Sequence, residues 1–215
     1  MFNELHGIRQ TLLAALASLS RTPEQALGVL GLSPRQLAEL DNNTCLATAP
    51  TTPALGRYTG VLYDTLDAPS LSPAARRRAN AHLLICSALF GAVRPDDPIP
   101  AYRLSGATTL PGLGTLASIW KPVLSDVLHG DEPIIDLRSG PYVALAPIPD
   151  AVTVRVVDAD GRSISHHNKA AKGRLVRAYL CAPREPKTVQ ALVRAGVTAG
   201  LAITHVGDGS LQIRV

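Results

Sequence analysis

The sequence predicts an α+β protein, helix-rich in its N-terminal half, with a mixed sheet and hairpins in its C-terminal half. Three observations carry this. Leucines recur at helical spacing through the first twenty residues. Polar-proline pairs at Thr22-Pro23, Ser33-Pro34 and Ser72-Pro73 supply an N-cap followed by a proline in the first turn, three times over. Beyond residue 130 the pattern changes to short apolar runs punctuated by Asp160-Gly161 and Gly207-Asp208-Gly209, which read as strands and tight turns. With 215 residues, 46% of them hydrophobic and 18% charged, the chain can bury a substantial core, and its pieces read as one compact domain over 1–215.

Each element follows from its residues. Leu5, Ile8, Leu12, Leu13, Leu16 and Leu19 line one face of a first helix. A second helix runs from Pro23 to about Leu30 and is broken by Gly31; a third starts at Ser33-Pro34, with Leu37 and Leu40 on its apolar face. Residues 42–60 are loop-rich. Ser72-Pro73 caps a helix expected to run through Ile85 towards Phe90, with Arg76, Arg77 and Arg78 solvated near its start. Another helix covers about Leu113 to Leu128 and carries Trp120 as core. Pro133 to Leu137 reads as a buried strand, Val152 to Val157 and Ser163 to His167 as a pair joined at Asp160-Gly161. A helix from Asn168 (its N-cap) to about Leu180, a helix from Val189 to Ala195 and a last hairpin complete the chain.

Composition excludes several classes. No apolar run is long enough to cross a bilayer, and Met1 is followed by no signal peptide, so a cytoplasmic protein without a membrane partner is expected. Cys45, Cys86 and Cys181 are far apart and odd in number, which argues for a reducing compartment. No CxxC or HxxxH spacing supports a zinc site, and nothing calls for a cofactor. The net charge of +4 and pI of about 9.2 permit a phosphate-bearing partner. At 4% aromatic residues, recognition by stacking single-stranded bases is disfavoured. Oligomeric state leaves no mark on the sequence.

Three stretches carry charge in an organised way. Between Ser87 and Leu104, Pro95, Pro98 and Pro100 stiffen a loop that holds Arg94, Asp96, Asp97, Tyr102 and Arg103 in close order. It reads either as a binding site held in shape or as an anchored connector whose charges pair with one another. Residues 161–184 hold Arg162, Lys169, Lys172, Arg174, Arg177 and Arg184 and no acid. Lys169 and Lys172 fall in the first helical turns, where the dipole favours anions, so an anion seated there would reconcile them with the helix. Ala171, Leu175, Ala178 and Tyr179 share the core face of that helix, leaving Arg174 and Arg177 to solvent. A solvated basic helix is the plainer alternative. Finally, Val29 to Leu40, with Gly31, Ser33 and Arg35 at its centre, resembles a helix-hairpin-helix DNA-binding element, in which a glycine-rich turn lays backbone N–H groups against a phosphate. A plain helix–turn–helix connection is the alternative there.

Taken together the motifs resemble the YaaA peroxide-stress family. The resemblance rests on Tyr58-Thr59-Gly60; on Ser87-Ala88-Leu89-Phe90-Gly91 with Arg94-Pro95 and Tyr102-Arg103-Leu104; on Trp120; on Ile134-Ile135-Asp136-Leu137 with Ser139 and Tyr142; and on Lys169-Ala170-Ala171-Lys172-Gly173, where one basic position of the family pattern is lost. It implies a cytoplasmic bacterial protein that protects against hydrogen peroxide, with effects on intracellular iron and DNA damage. It also implies a positively charged cleft and a hairpin element that binds DNA, and establishes no catalytic reaction. Family members open with a short hydrophobic strand and a lysine-bearing loop; here Met1 to Leu5 already lies at the first helix, so this form is expected to lack that strand.

Three functional expectations follow. The first is binding of double-stranded DNA with weak sequence preference through Arg94, Tyr102, Arg103, Lys169 and Lys172, with Gly31, Ser33 and Arg35 in the hairpin. The second is an enzyme acting on nucleic acid or a phosphorylated ligand in the manner of a lyase or glycosylase, with Lys169 beside Lys172 as nucleophile and Asp96 or Asp97 as base. The third is iron handling by His166, His167, Asp96 and Asp97, whose spacing is poor for it.

Overall fold

The computed structural model describes residues 1–129, 132–164, 168–207 and 209–215. Where caps and periodicity agree, the helices fall as expected. Helix α1 (His6–Ser20) follows a 3-10 turn at Asn3–Leu5, and α2 (Pro23–Leu30) ends on Gly31 at φ 64°, a left-handed position that glycine takes without strain. After a 3-10 turn at Pro34–Gln36 come α3 (Glu39–Thr44), β1 (Thr51–Pro53), α4 (Ala54–Arg57) and α5 (Val61–Leu66). Helix α6 (Pro73–His82) is capped by Ser72 Oγ, which accepts from Ala75 N–H. Strands β2 (Ile85–Ser87), β3 (Gly91–Val93), β4 (Pro98–Pro100), β5 (Thr109–Leu110) and β6 (Gly114–Thr115) lead to α7 (Leu116–Val127). The rest is β7 (Ile135–Asp136), α8 (Gly140–Val143), β8 (Val152–Val157), α9 (Asn168–Cys181), α10 (Val189–Thr198), β9 (Ala202–His205) and β10 (Leu211–Arg214). The fold class is α+β.

The chain forms two compact units that share it by turns: Met1–Arg57, Leu84–His129 and Arg138–Ile148 in the first; Tyr58–Leu83, Gly130–Leu137 and Pro149–Val215 in the second.

The first unit packs helices over three two-stranded sheets, β1-β4, β2-β3 and β5-β6. Its core holds Leu5, Leu12, Leu16, Leu89, Ile99, Leu116, Leu124 and Trp120, whose indole N–H donates to the Ala88 carbonyl. Trp120 lies flat against Gly91, where φ is 73° and a Cβ would overlap the indole. Arg9 sits among the leucines of α1, 5% exposed, and its guanidinium donates to the carbonyls of Phe2, Phe90 and Ala92. That burial lowers its pKa, with Asp97 and Glu4 acting the other way.

The second unit is built on a sheet of order β7-β8-β10-β9, with β7, β8 and β10 parallel and β9 antiparallel to β10. Register places Ile203 opposite Ile213 and Ile213 opposite Val156, a continuous apolar row across three strands. That row joins Leu175 of α9 and Leu192 of α10 in one core cluster. Helix α5 lies against α9 at Gly173, where a Cβ would collide with Thr65 Oγ1 and the Leu62 carbonyl. Two arginines finish helix ends here. Arg78 Nη1 donates to the carbonyls of Tyr179, Leu180 and Ala182 at the end of α9. Arg177 does the same for Leu66 and Asp67 at the end of α5, its Nη2 reaching Ser70 Oγ.

Several expectations are corrected. Helix α6 stops at His82 because Leu83 turns extended and the apolar run beyond it is a hairpin, with Ile85 opposite Val93 and Gly91 taking the positive φ. Leu37 lies in the turn between the 3-10 segment and α3 and is 47% exposed, whereas Leu40 is buried. Residues 133–137 give only two residues of strand, half-buried. The expected strand from Ser163 reduces to a bridge between Ser163 and Val157; its remainder, Ser165 to His167, lies outside the described residues. Arg78 and Arg177 are half-buried rather than solvated, each drawn in by the carbonyls it caps.

Candidate functional site

The first unit brings the hairpin-like turn and the Tyr102-Arg103 segment together. Gly31 lets the chain reverse after α2, and Ser33 opens the next turn with a reciprocal cap. Gln36 Oε1 lies 3.1 Å from both Ser33 N and Ser33 Oγ, and Gln36 Nε2 donates to Glu39 Oε1 at 3.0 Å. The other Glu39 oxygen meets Arg103 Nε at 3.2 Å. One turn further along α3, the buried Asn43 side chain clamps the Arg103 backbone from both sides: Nδ2 donates to its carbonyl at 3.0 Å and Oδ1 accepts its N–H at 2.7 Å. The main chain at Arg103 is thus fixed, while its side chain stays 48% exposed.

Tyr102 turns inward. Its hydroxyl lies 2.7 Å from Ser87 Oγ, which also accepts from Phe90 N–H, and its ring meets Phe90 edge-on. Next to Ser87, Cys86 Sγ takes a hydrogen bond from Arg138 Nη1, which also donates to the Tyr142 carbonyl. Burial raises the Tyr142 pKa and Cys86 adds to it; the Gly106 N–H and Arg103 oppose the rise. The Ser87–Gly91, Tyr102–Leu104, Trp120 and Tyr142 motifs therefore belong to one unit and, through these contacts, largely to one neighbourhood.

The proline loop is anchored at several points. Asp97, nearly buried, accepts from Arg94 N–H through Oδ2. The carbonyls of Pro95 and Asp97 receive the N–H groups of Leu55 and Ala54, and β4 pairs with β1. The exposed Arg94 guanidinium rests 5.4 Å from the centre of the Phe2 ring. Arg103, by contrast, answers to Glu39 and Asn43.

In the second unit the Lys169–Gly173 motif opens α9. Lys169 is exposed. Lys172 is turned inward, 9% exposed, with Nζ donating to the Leu137 carbonyl at 3.2 Å. Burial lowers its pKa, and the nearby Asp136 pulls it back up. Asn168 is the first helical residue, and its Oδ1 is buried without a hydrogen-bond partner among the described residues. Arg162, Arg174 and Arg184 face solvent. Of the iron-ligand candidates, His166 and His167 lie outside the described residues, and among the described residues no group of three His, Cys, Asp or Glu side chains has a metal-holding arrangement. Among them, too, no helix is long and apolar enough to cross a membrane.

Sequence reasoning missed Arg9, Asn43, Glu39 and Arg138. Arg9 had a signal, since it falls at helical spacing between Leu5 and Leu12. Asn43 and Glu39 had none, because they act on a segment sixty residues away.

These features define an α+β protein with a polar, arginine-bearing site next to a helix-turn element. The family model described as peroxide stress protein YaaA matches residues 4–202, and the chain belongs to that family. It is 46% identical to a UPF0246 protein of Corynebacterium efficiens over 97% of this chain and 86% of that protein. A UPF0246 protein of Streptomyces coelicolor is 44% identical over 89% and 77% respectively. One from Shewanella amazonensis is 30% identical over 84% and 74%. Membership supports a general role in oxidative stress.

Proposed function

We propose that this protein acts in the peroxide-stress response by binding double-stranded DNA through phosphate contacts, with Arg103 and the adjoining hairpin turn as the anchor in the first unit. The observation that carries this reading is the tie between Arg103 and the Gly31–Glu39 element: a cation on a fixed backbone, half open to solvent, beside a glycine turn. Arg35 in the first unit is exposed and would add a further phosphate contact there; in the second unit Lys169 and Arg174 are exposed cations of the same kind. Recognition of this kind reads charge rather than sequence. Affinity for a random duplex falls steeply with salt, and Arg103→Ala weakens it uniformly across sequences and lowers the salt slope by about 1. A salt-independent affinity, or one untouched by Arg103→Ala, would refute the assignment.

A second reading is favoured by one observation. Lys172 is nearly buried with its ammonium on the Leu137 carbonyl, and that burial depresses its pKa, the condition for an amine nucleophile acting on nucleic acid or a phosphorylated ligand. Borohydride trapping on an abasic duplex tests it: an adduct lost in Lys172→Met supports lyase-like chemistry, and absence of any adduct counts against it.

A further inference from the structure

Arg103 is already met by an anion of the protein's own, placed with care. Glu39 Oε2 is 3.2 Å from Arg103 Nε. The carboxylate is aimed there because Gln36 Nε2 holds Oε1, and Gln36 is held in turn by Ser33 at the cap. On the other side, Asn43 fixes the Arg103 main chain through its N–H and its carbonyl, so the pair can open by side-chain rotation alone. Both partners are substantially exposed, 48% for Arg103 and 37% for Glu39, and an ion pair in that setting is weak enough for a polyanion to displace.

We infer that Glu39 is a built-in competitor for the phosphate that Arg103 receives, setting how much negative charge a ligand must bring before it binds. This rests on the phosphate-binding reading above. A carboxylate and a phosphate present the same oxygen acceptors to a guanidinium, but a DNA duplex carries many phosphates and gains from every other cation at once. The duplex therefore displaces Glu39, whereas an isolated small anion does not. Glu39 favours polyanions over single anions at the cost of some affinity for both.

The test is a double-mutant cycle on the full chain, read by anisotropy of a labelled random duplex at low salt. Glu39→Gln keeps the acceptor for Gln36 while removing the charge, and thermal melts confirm the fold. The expected result is about three- to fivefold tighter binding in Glu39→Gln, the size of one exposed ion pair. The gain disappears when Glu39→Gln is made in Arg103→Ala. Duplex binding by the wild type with no gain in Glu39→Gln overturns the inference and leaves the DNA reading standing. So does a gain that persists without Arg103, which would be general charge alone. No duplex binding by either protein overturns both.

Discussion

Replacing Gly173 by alanine sets two effects of known size against each other. Glycine inside a helix costs about 0.8–1 kcal/mol relative to alanine, so on propensity alone the substitution stabilises α9. The structure opposes it. A Cβ at 173 would overlap Thr65 Oγ1 and the Leu62 carbonyl, and the carbonyl is helix backbone that cannot rotate aside. Helix α5 would have to back away, weakening the bond from Thr65 Oγ1 to the Ala170 carbonyl, 3.3 Å now. Overpacking of this kind costs about 1–3 kcal/mol, and a rigid neighbour puts it at the upper end. The net expectation is a loss of about 1–2 kcal/mol. Gly28, exposed in α2 with nothing within 4 Å of its would-be Cβ, supplies the control: Gly28→Ala gains about 0.5–1 kcal/mol. Urea unfolding followed by circular dichroism gives both numbers from one assay. A Gly173→Ala protein as stable as Gly28→Ala would refute the close packing of α5 on α9.

Further outcomes follow from the charged and titratable groups. Arg78→Ala strips three carbonyls at the end of α9 of one charged donor and should cost about 2–3 kcal/mol, measurable as a lower urea midpoint with unchanged slope; Arg77→Ala is the exposed comparison. Lys172 binds its proton less tightly folded than unfolded, so the folded state holds fewer protons just below pH 10.5 and stability rises with pH there. The melting temperature of wild type relative to Lys172→Met should therefore climb as pH approaches 10.5, and a flat or falling difference would contradict the burial. Tyr179 behaves oppositely: burial, then Glu185, push its pKa up to about 12 against the pull of Arg78. Its stabilising share is intact below pH 10 and is lost towards pH 12, and the ultraviolet titration of wild type minus that of Tyr179→Phe should place the missing phenol well above pH 10.

What was legible in the sequence was local. Thr22-Pro23 and Gly31 bound α2 to the residue, and the β-branched run Val152–Val157 gave β8 its length. Short apolar runs were the difficulty. Ile85 to Val93 fits one turn of a buried helix as well as a tight hairpin, and only the pairing of Ile85 with Val93 decides it. The basic stretch misled for a related reason. A helical wheel sorts residues by one packed face, but α9 meets the sheet and α10 on one side and α5 and α6 on others. Lys172 and Arg177 were thus drawn into contacts that no single-face pattern contains. The candidate site was half visible: Tyr102 and Arg103 stood out as polar groups beside proline, while Asn43, whose side chain holds the Arg103 main chain, reads as one more loop residue.

The position of β10 also bears on how the chain is made. Leu211–Arg214 leaves the ribosome after every other described element, yet it lies inside the sheet, between β8 and β9. Until it emerges, both of those strands present bare hydrogen-bonding edges, and Val156 and Ile203 lack the residue that bridges them. A nascent chain stalled near residue 205 would therefore be unable to close its second unit, and it would stay exposed to strand-mediated aggregation or to chaperone capture until β10 emerges.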